Sequence, residues 1–198
     1  MKLILTRHGE TIENKKGIAQ GWLPGHLSSL GKKQVGLLAK RLKEIKIDSI
    51  YTSDLARAYD TAKEIAKYHK NSKLIKDRRL RERHLGPKIE GKVWPKIQKV
   101  VTGSSRAANI PHSLETHAEF WRRINSFYRF ILKKYNDETI LVVGHGGSTC
   151  FLDGMIHKLN LEKSLKIKLQ KNTAISEYEI NKNGKVKIIR INCDKHLK

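Results

Sequence analysis

Apolar positions along this chain follow two periods. Leu3-Ile4-Leu5, Ile50-Tyr51, Leu74-Ile75 and Val142-Val143 belong to short runs rich in leucine or β-branched residues, the pattern of buried strands in a parallel sheet. Strands are expected at 2–8, 49–53, 74–75 and 139–145. Between them Val35, Leu38, Leu42 and Ile45 recur at helical spacing and predict a helix over 31–45. Asp54 is placed to cap a second helix that continues through Tyr68, and further helices are expected over 114–135 and 147–158. Segments 9–30 and 78–113, punctuated by Gly17, Gly21, Pro24, Gly86, Pro87 and Pro95, read as loops. Stretches 173–179 and 186–192, split by Asn181-Lys182-Asn183-Gly184, read as a closing hairpin. Alternating strands and helices predict an α/β, three-layer sandwich: a mostly parallel central sheet with helices on both faces.

Composition narrows the class. A chain of 198 residues suits one domain spanning 1–198, with 86–113 as an irregular segment over the sheet edge, and no internal repeat is evident. The apolar core of the first residues is too short for a signal peptide, and no run approaches a membrane span. With only Cys150 and Cys193, a reduced, cytoplasmic protein without membrane partners is expected. Lysine and arginine number 41 against 19 acidic residues, a formal charge of +22. The lysines are scattered and no aromatic residues interleave with them, so nucleic acid is not the expected partner. A small anionic substrate gains from the same field. A monomer and a dimer both remain open.

The chemistry gathers at strand ends. Arg7-His8-Gly9-Glu10-Thr11 follows the first strand, and Gly144-His145-Gly146-Gly147 follows Val142-Val143. Side chains at carboxyl ends of parallel strands are where α/β proteins meet their ligands. An imidazole flanked by cations is suited to attack phosphorus, because the charge binds phosphoryl oxygens while a neutral ring nitrogen supplies the lone pair. Glycine after His8 suggests an open backbone, and the glycines around His145 leave the next helix N-terminus free for an anion. Arg57 near a helix start is unfavourable against the dipole unless an anion joins it. Glu82, between Arg81 and Arg83, reads on charge alone as an ordinary solvated carboxylate. His84 either lines the site or is an uncommitted loop residue. His26, His69, His112, His117, His157 and His196 show no metal-ligand spacing, so no metal is expected.

Four blocks in order resemble the histidine phosphatase superfamily, with its phosphoglycerate mutase-like fold: Arg7 to Thr11, Ser53-Asp54-Leu55-Ala56-Arg57-Ala58 with Thr61-Ala62, Leu80-Arg81-Glu82, and Gly144-His145-Gly146. Asn14 and Leu27-Ser28-Ser29-Leu30-Gly31 also have family counterparts. The resemblance implies that His8 is the nucleophile and passes through a phosphohistidine. Arg7, Arg57 and His145 would hold the phosphoryl group, assisted by Asn14 and a backbone N–H near Gly146. Thr11, Gly21 and His84 are counted as further substrate-binding positions. Carried over, Glu82 becomes the general acid and base, a role that needs its pKa raised by desolvation and the bound phosphoryl dianion.

The same resemblance leaves two activities. Glu82-Arg83-His84-Leu85-Gly86 looks like the phosphoglycerate mutase version of its motif, with leucine where that enzyme carries tyrosine. The stretch from Gly91 to Ser113 is short for the mutase insertion, and Arg106 stands alone where a carboxylate-binding arginine pair is expected. Pro24 replaces an acidic residue, and Pro111-His112-Ser113 replaces Gly-Glu-Ser. An open pocket admits water, so a metal-independent phosphatase of small phosphorylated metabolites is the preferred reading. A mutase, needing 2,3-bisphosphoglycerate as cofactor, is the alternative. A non-catalytic polyanion-binding member is the second, and the intact set of site residues argues against it. Lys88, Lys92, Lys96, Lys99 and Arg106 are expected to favour substrates with a second anionic group, while Trp94 either joins them or anchors the segment.

Overall fold

The computed structural model describes residues 1–94 and 114–198. In chain order the elements begin with strand β1 (Lys2–Arg7), helices α1 (Ile12–Lys15) and α2 (Ser29–Leu42), and strand β2 (Ser49–Thr52). Helix α3 (Ala56–Ala66), strand β3 (Lys73–Lys76) and a 3₁₀ turn at Arg78–Leu80 follow. Then come α4 (His117–Lys134), β4 (Thr139–Gly144), α5 (Gly146–Ile156) and α6 (Leu161–Ser164). Strands β5 (Ile175–Ile180) and β6 (Val186–Cys193) precede a last 3₁₀ turn at Lys195–Leu197.

Among the described residues one sheet holds six strands in the order β3-β2-β4-β1-β5-β6. The first four are parallel, β5 runs antiparallel to β1, and β6 antiparallel to β5. Strand side chains alternate between faces, and the buried residues sort accordingly. Leu3, Leu5, Ile140 and Val142 meet Phe120, Ile124 and Phe127 of α4 and Phe151 of α5. Ile4, Ile50, Leu141 and Val143 meet Leu38 and Leu42 of α2 and Ala58, Ala62 and Ile65 of α3. Each fully buried aliphatic side chain contributes roughly 1.5–3 kcal/mol. The expected three layers are present, and the near-continuous apolar strands follow from burial on both faces.

Local differences from the expected elements have local causes. Ser28 Oγ accepts the Gly31 N–H at 2.9 Å, so α2 starts at Ser29 instead of 31, and it ends at Leu42 instead of 45. The expected cap at Asp54 is not made. Leu55 holds the N-cap position of α3 without a side-chain bond, while Arg81 binds both Asp54 oxygens at 2.6 Å. That bond and the nearby charge keep the Asp54 carboxyl below its ordinary range. Helix α4 starts after Thr116, which forms a reciprocal capping box with Glu119. Thr11 and Asn14 form another at α1, a helical turn inside the expected loop. Of the irregular segment, 95–113 lies outside the described residues. Among the described residues, no helix is long and apolar enough to cross a membrane. Both cysteines are free thiols, Cys150 buried in α5 and Cys193 at the end of β6.

Candidate active site

The register of β1 and β4 pairs Arg7 with Gly144, so the residue after each strand lands at the same sheet edge. His8 N–H donates to the Gly144 carbonyl at 3.0 Å. The rings of His8 and His145 then meet edge to face, with centroids 5.2 Å apart. Both are buried, and their pKa values lie well below the ordinary histidine value. Burial is the main cause for each, and Arg57 is the next. They are neutral imidazoles.

Their hydrogen bonds fix the tautomers. His8 Nδ1 lies 2.7 Å from the Gly9 carbonyl, which can only accept, so Nδ1 carries the proton and Nε2 keeps the lone pair. Arg57 Nε donates to His145 Nδ1 at 3.2 Å, so Nε2 of His145 carries the proton. Among the described residues that buried Nε2 has no partner, and neither does Nε of Arg7. Two unpaired donors and one lone pair thus share a cationic corner. Unpaired buried donors are costly, about 1–3 kcal/mol each, and an incoming anion removes the cost.

The two arginines are held differently. Arg7 Nη1 donates to the Gln170 carbonyl at 3.1 Å, and burial lowers its pKa against an opposing pull from Glu82. Arg57 is 1% exposed and sends Nη1 to the Leu23 carbonyl at 2.6 Å and Nη2 to the Gly21 carbonyl at 2.8 Å. Burial brings its pKa down to about 10, which still leaves a cation at neutral pH. Its place near the start of α3 is therefore met first by carbonyls of loop 21–24, and only its remaining donor capacity is left for a ligand.

Glu82 reaches the same corner from the opposite side. Its Oε2 accepts the Gly147 N–H at 3.0 Å and its Oε1 accepts the Arg83 N–H at 2.9 Å. The first turn of α5 thus already holds the Glu82 carboxyl group, which is not the solvated side chain that charge alone suggests. Arg123 of α4 fixes its backbone, donating to the carbonyls of Arg79, Arg81 and Glu82 at 2.8, 2.9 and 3.1 Å and pairing with Glu115 at 2.7 Å. Trp22 Nε1 adds a bond to the Glu82 carbonyl at 2.8 Å. The roles of Arg123 and Trp22 were not read from sequence.

A cavity of about 560 Å³ opens over this corner, and Arg7, His8, Asn14, Gly21, Arg57 and Glu82 line it, with Gly146. Three expected positions are not in its wall. His145, fully buried, packs against the ring of His8. Thr11 is buried, and its hydroxyl caps α1 by accepting the Asn14 N–H at 3.0 Å. His84 packs on Trp22 with centroids 4.6 Å apart and is not in the cavity wall. Gly9 is not open backbone: a Cβ there would lie 2.6 Å from Val35 and 2.8 Å from the Gly31 carbonyl, so the glycine lets α2 approach. Lys88 and Lys92 do not line the cavity, Trp94 does, and Lys96, Lys99 and Arg106 lie outside the described residues. Sequence reasoning missed Gln20, Arg83 and His117 in the wall. Arg83 Nη1 contacts His117 Nε2 at 2.6 Å, and burial, with Arg83 beside it, lowers His117 to about 4. Among the described residues, no three His, Cys, Asp or Glu side chains group as metal ligands would.

The family model described as histidine phosphatase superfamily (branch 1) matches residues 3–194. The chain belongs to that superfamily. A metal-independent phosphoserine phosphatase of Arabidopsis thaliana is 35% identical over 154 residues, covering 74% of this chain and 64% of the relative. Phosphoserine phosphatase 1 of Hydrogenobacter thermophilus is 37% identical over 150 residues, covering 73% and 71%. Among solved structures, Bacillus stearothermophilus YhfR superposes with a TM-score of 0.87 at 27% identity, covering 100% of this chain and 99% of the other. The chain thus spans somewhat under two thirds of the Arabidopsis relative and nearly all of YhfR. Both of these curated relatives carry phosphatase names.

Proposed function

We propose that this protein is a metal-independent phosphomonoesterase of small phosphorylated substrates, working through a phosphohistidine at His8. The observation that carries the reading is the complementary tautomer pair. His8 offers a lone pair at Nε2 while His145 offers an unpaired N–H beside the unpaired Nε–H of Arg7. These donors would stabilise charge on the phosphoryl oxygens as the bond to the leaving oxygen loosens.

His8 Nε2 forms the bond to phosphorus, the P–O ester bond breaks, and Glu82 delivers a proton to the departing alkoxide. Glu82, now a carboxylate, takes a proton from water as the water oxygen attacks the phosphohistidine. Inorganic phosphate leaves and His8 is restored. No metal is required because fixed cations and dipoles carry the electrostatic work, and the name of the Arabidopsis relative supports the same reading.

The test is acid-quench labelling with an aryl phosphate, alongside assays of free phosphate and of 3-phosphoglycerate isomerisation with and without 2,3-bisphosphoglycerate. Wild type should release phosphate and trap acid-labile label. His8→Ala should do neither, whereas His145→Ala should keep weak labelling. Label on His8→Ala would remove the nucleophile assignment, and isomerisation outpacing hydrolysis would make the protein a mutase.

A further inference from the structure

Residues 165–169, between α6 and β5, alternate Leu165-Lys166-Ile167-Lys168-Leu169. Leu165, Ile167 and Leu169 all line the cavity over the histidines, and Lys166 and Lys168 do not. Backbone contacts tie this strap to the site: Cys150 Sγ lies 3.2 Å from the Ser164 carbonyl, and Arg7 Nη1 binds the Gln170 carbonyl. Phe120, Phe151, Leu85, Ile18 and the exposed Trp94 line the same cavity. Leu165 and Leu169 remain 45% and 54% exposed, so two large aliphatic side chains of the wall stay in solvent. Leu169 reaches the phosphate corner itself: a Cβ on Gly146 would lie 3.7 Å from its Cδ1 and 3.7 Å from the Arg7 guanidinium.

The cavity therefore has one charged pole and a long apolar wall. Its charged lining outside that pole, among the described residues, is Arg83, whose guanidinium is already engaged by the Glu115 carbonyl and His117. A ligand gripped at Arg7 and His8 can lay the rest of itself along leucine, isoleucine and phenylalanine. Burying apolar surface there is favourable, whereas a carboxylate laid along those side chains would lose water without gaining a partner from them.

We propose that the preferred substrates are phosphate monoesters of an apolar alcohol, alkyl or aryl, whose tail packs against the 165–169 strap. This rests on the phosphomonoesterase reading and names its substrate class.

The test is kcat/KM for hydrolysis of ethyl, butyl, hexyl and octyl phosphate, all below their aggregation concentrations, with phosphoserine and 3-phosphoglycerate in the same panel. Each added methylene should raise kcat/KM by about fourfold until the wall is covered. Leu165→Gln and Leu169→Gln, both at exposed positions, should each cut the octyl-to-ethyl ratio at least tenfold. A flat alkyl series, or phosphoserine or phosphoglycerate outrunning octyl phosphate, would overturn this substrate class while leaving the phosphatase intact. An unchanged octyl-to-ethyl ratio in both variants would overturn it equally. Wild type that hydrolyses none of these esters and traps no phosphohistidine would instead bring down the phosphomonoesterase reading, and this inference with it.

Discussion

The Arg57 guanidinium spans 88 positions of sequence to donate from Nε to Nδ1 of His145, while its other nitrogens hold the carbonyls of Gly21 and Leu23. One side chain therefore sets the tautomer of a site histidine and the position of the loop that brings Gly21 to the cavity wall. Lysine keeps the charge and loses the planar fork. Arg57→Lys should lower kcat/KM on the order of 10²-fold, the scale of losing one preorganised donor. Backbone amides of residues 20–25 should exchange faster in the same variant. Activity within a few-fold of wild type, with unchanged exchange, would show that the fork does not organise the site.

His8 and His145 also tie stability to pH. Both are buried and held neutral well below the ordinary histidine value. Below about pH 6.5 the unfolded chain binds protons at these positions and the folded chain does not. Stability should therefore be full above that pH and fall as the pH drops, by about 1.4 kcal/mol per unit for each histidine. His117, lowered to about 4, adds to the loss in the same direction until the pH reaches that value. Urea unfolding between pH 5 and pH 8 reads this directly, and His145→Asn should flatten the slope by about one proton. The pH profile of kcat/KM should likewise show no loss of the nucleophile near 6.5.

The parts of this fold that could be read from sequence are those whose cause is local. Leu3-Ile4-Leu5 and Leu141-Val142-Val143 announce two-sided burial, and the polar residue after each run marks the sheet edge where His8 and His145 meet. Arg123 could not be read in this way. On α4 it looks like one more cation among 41, and its importance comes from three carbonyls at Arg79, Arg81 and Glu82 that only the folded chain brings to it. Asp54 misled for the same reason, since a distant Arg81 outcompetes the local helix end. The Leu165, Ile167 and Leu169 alternation is written at period two, but the cavity it faces is assembled only in the folded chain.

Glu82 is expected to matter in proportion to how badly the leaving group needs a proton. Glu82→Gln keeps the size and the ability to accept from Gly147 N–H but cannot deliver a proton. Hydrolysis of alkyl phosphates should fall on the order of 10²–10⁴-fold, the usual worth of general acid catalysis. Aryl phosphates, whose phenoxide leaves unaided, should lose far less. Parallel kcat/KM measurements on phenyl and ethyl phosphate check this, and equal losses on both would move the proton donor away from Glu82.

Adjacent glycines at the start of α5 separate two explanations for the Gly146-Gly147 pair. A Cβ on Gly147 would fall 2.4 Å from Glu82 Oε1 and 2.8 Å from Phe120 Cε1, distances that no real side chain tolerates. Phe120 is packed in the core, so Glu82 has to give way, and with it the bond from Gly147 N–H. On Gly146 the same atom meets its nearest neighbours at 3.7 Å, ordinary contact. Gly147→Ala should therefore reproduce the Glu82→Gln signature, a loss concentrated on alkyl substrates, with acid-labile labelling from an aryl phosphate retained. Gly146→Ala should leave the alkyl-to-aryl ratio near that of wild type. If the requirement were merely for flexible backbone beside a ligand, both alanines would lower both substrate types together, and the ratio would not distinguish them.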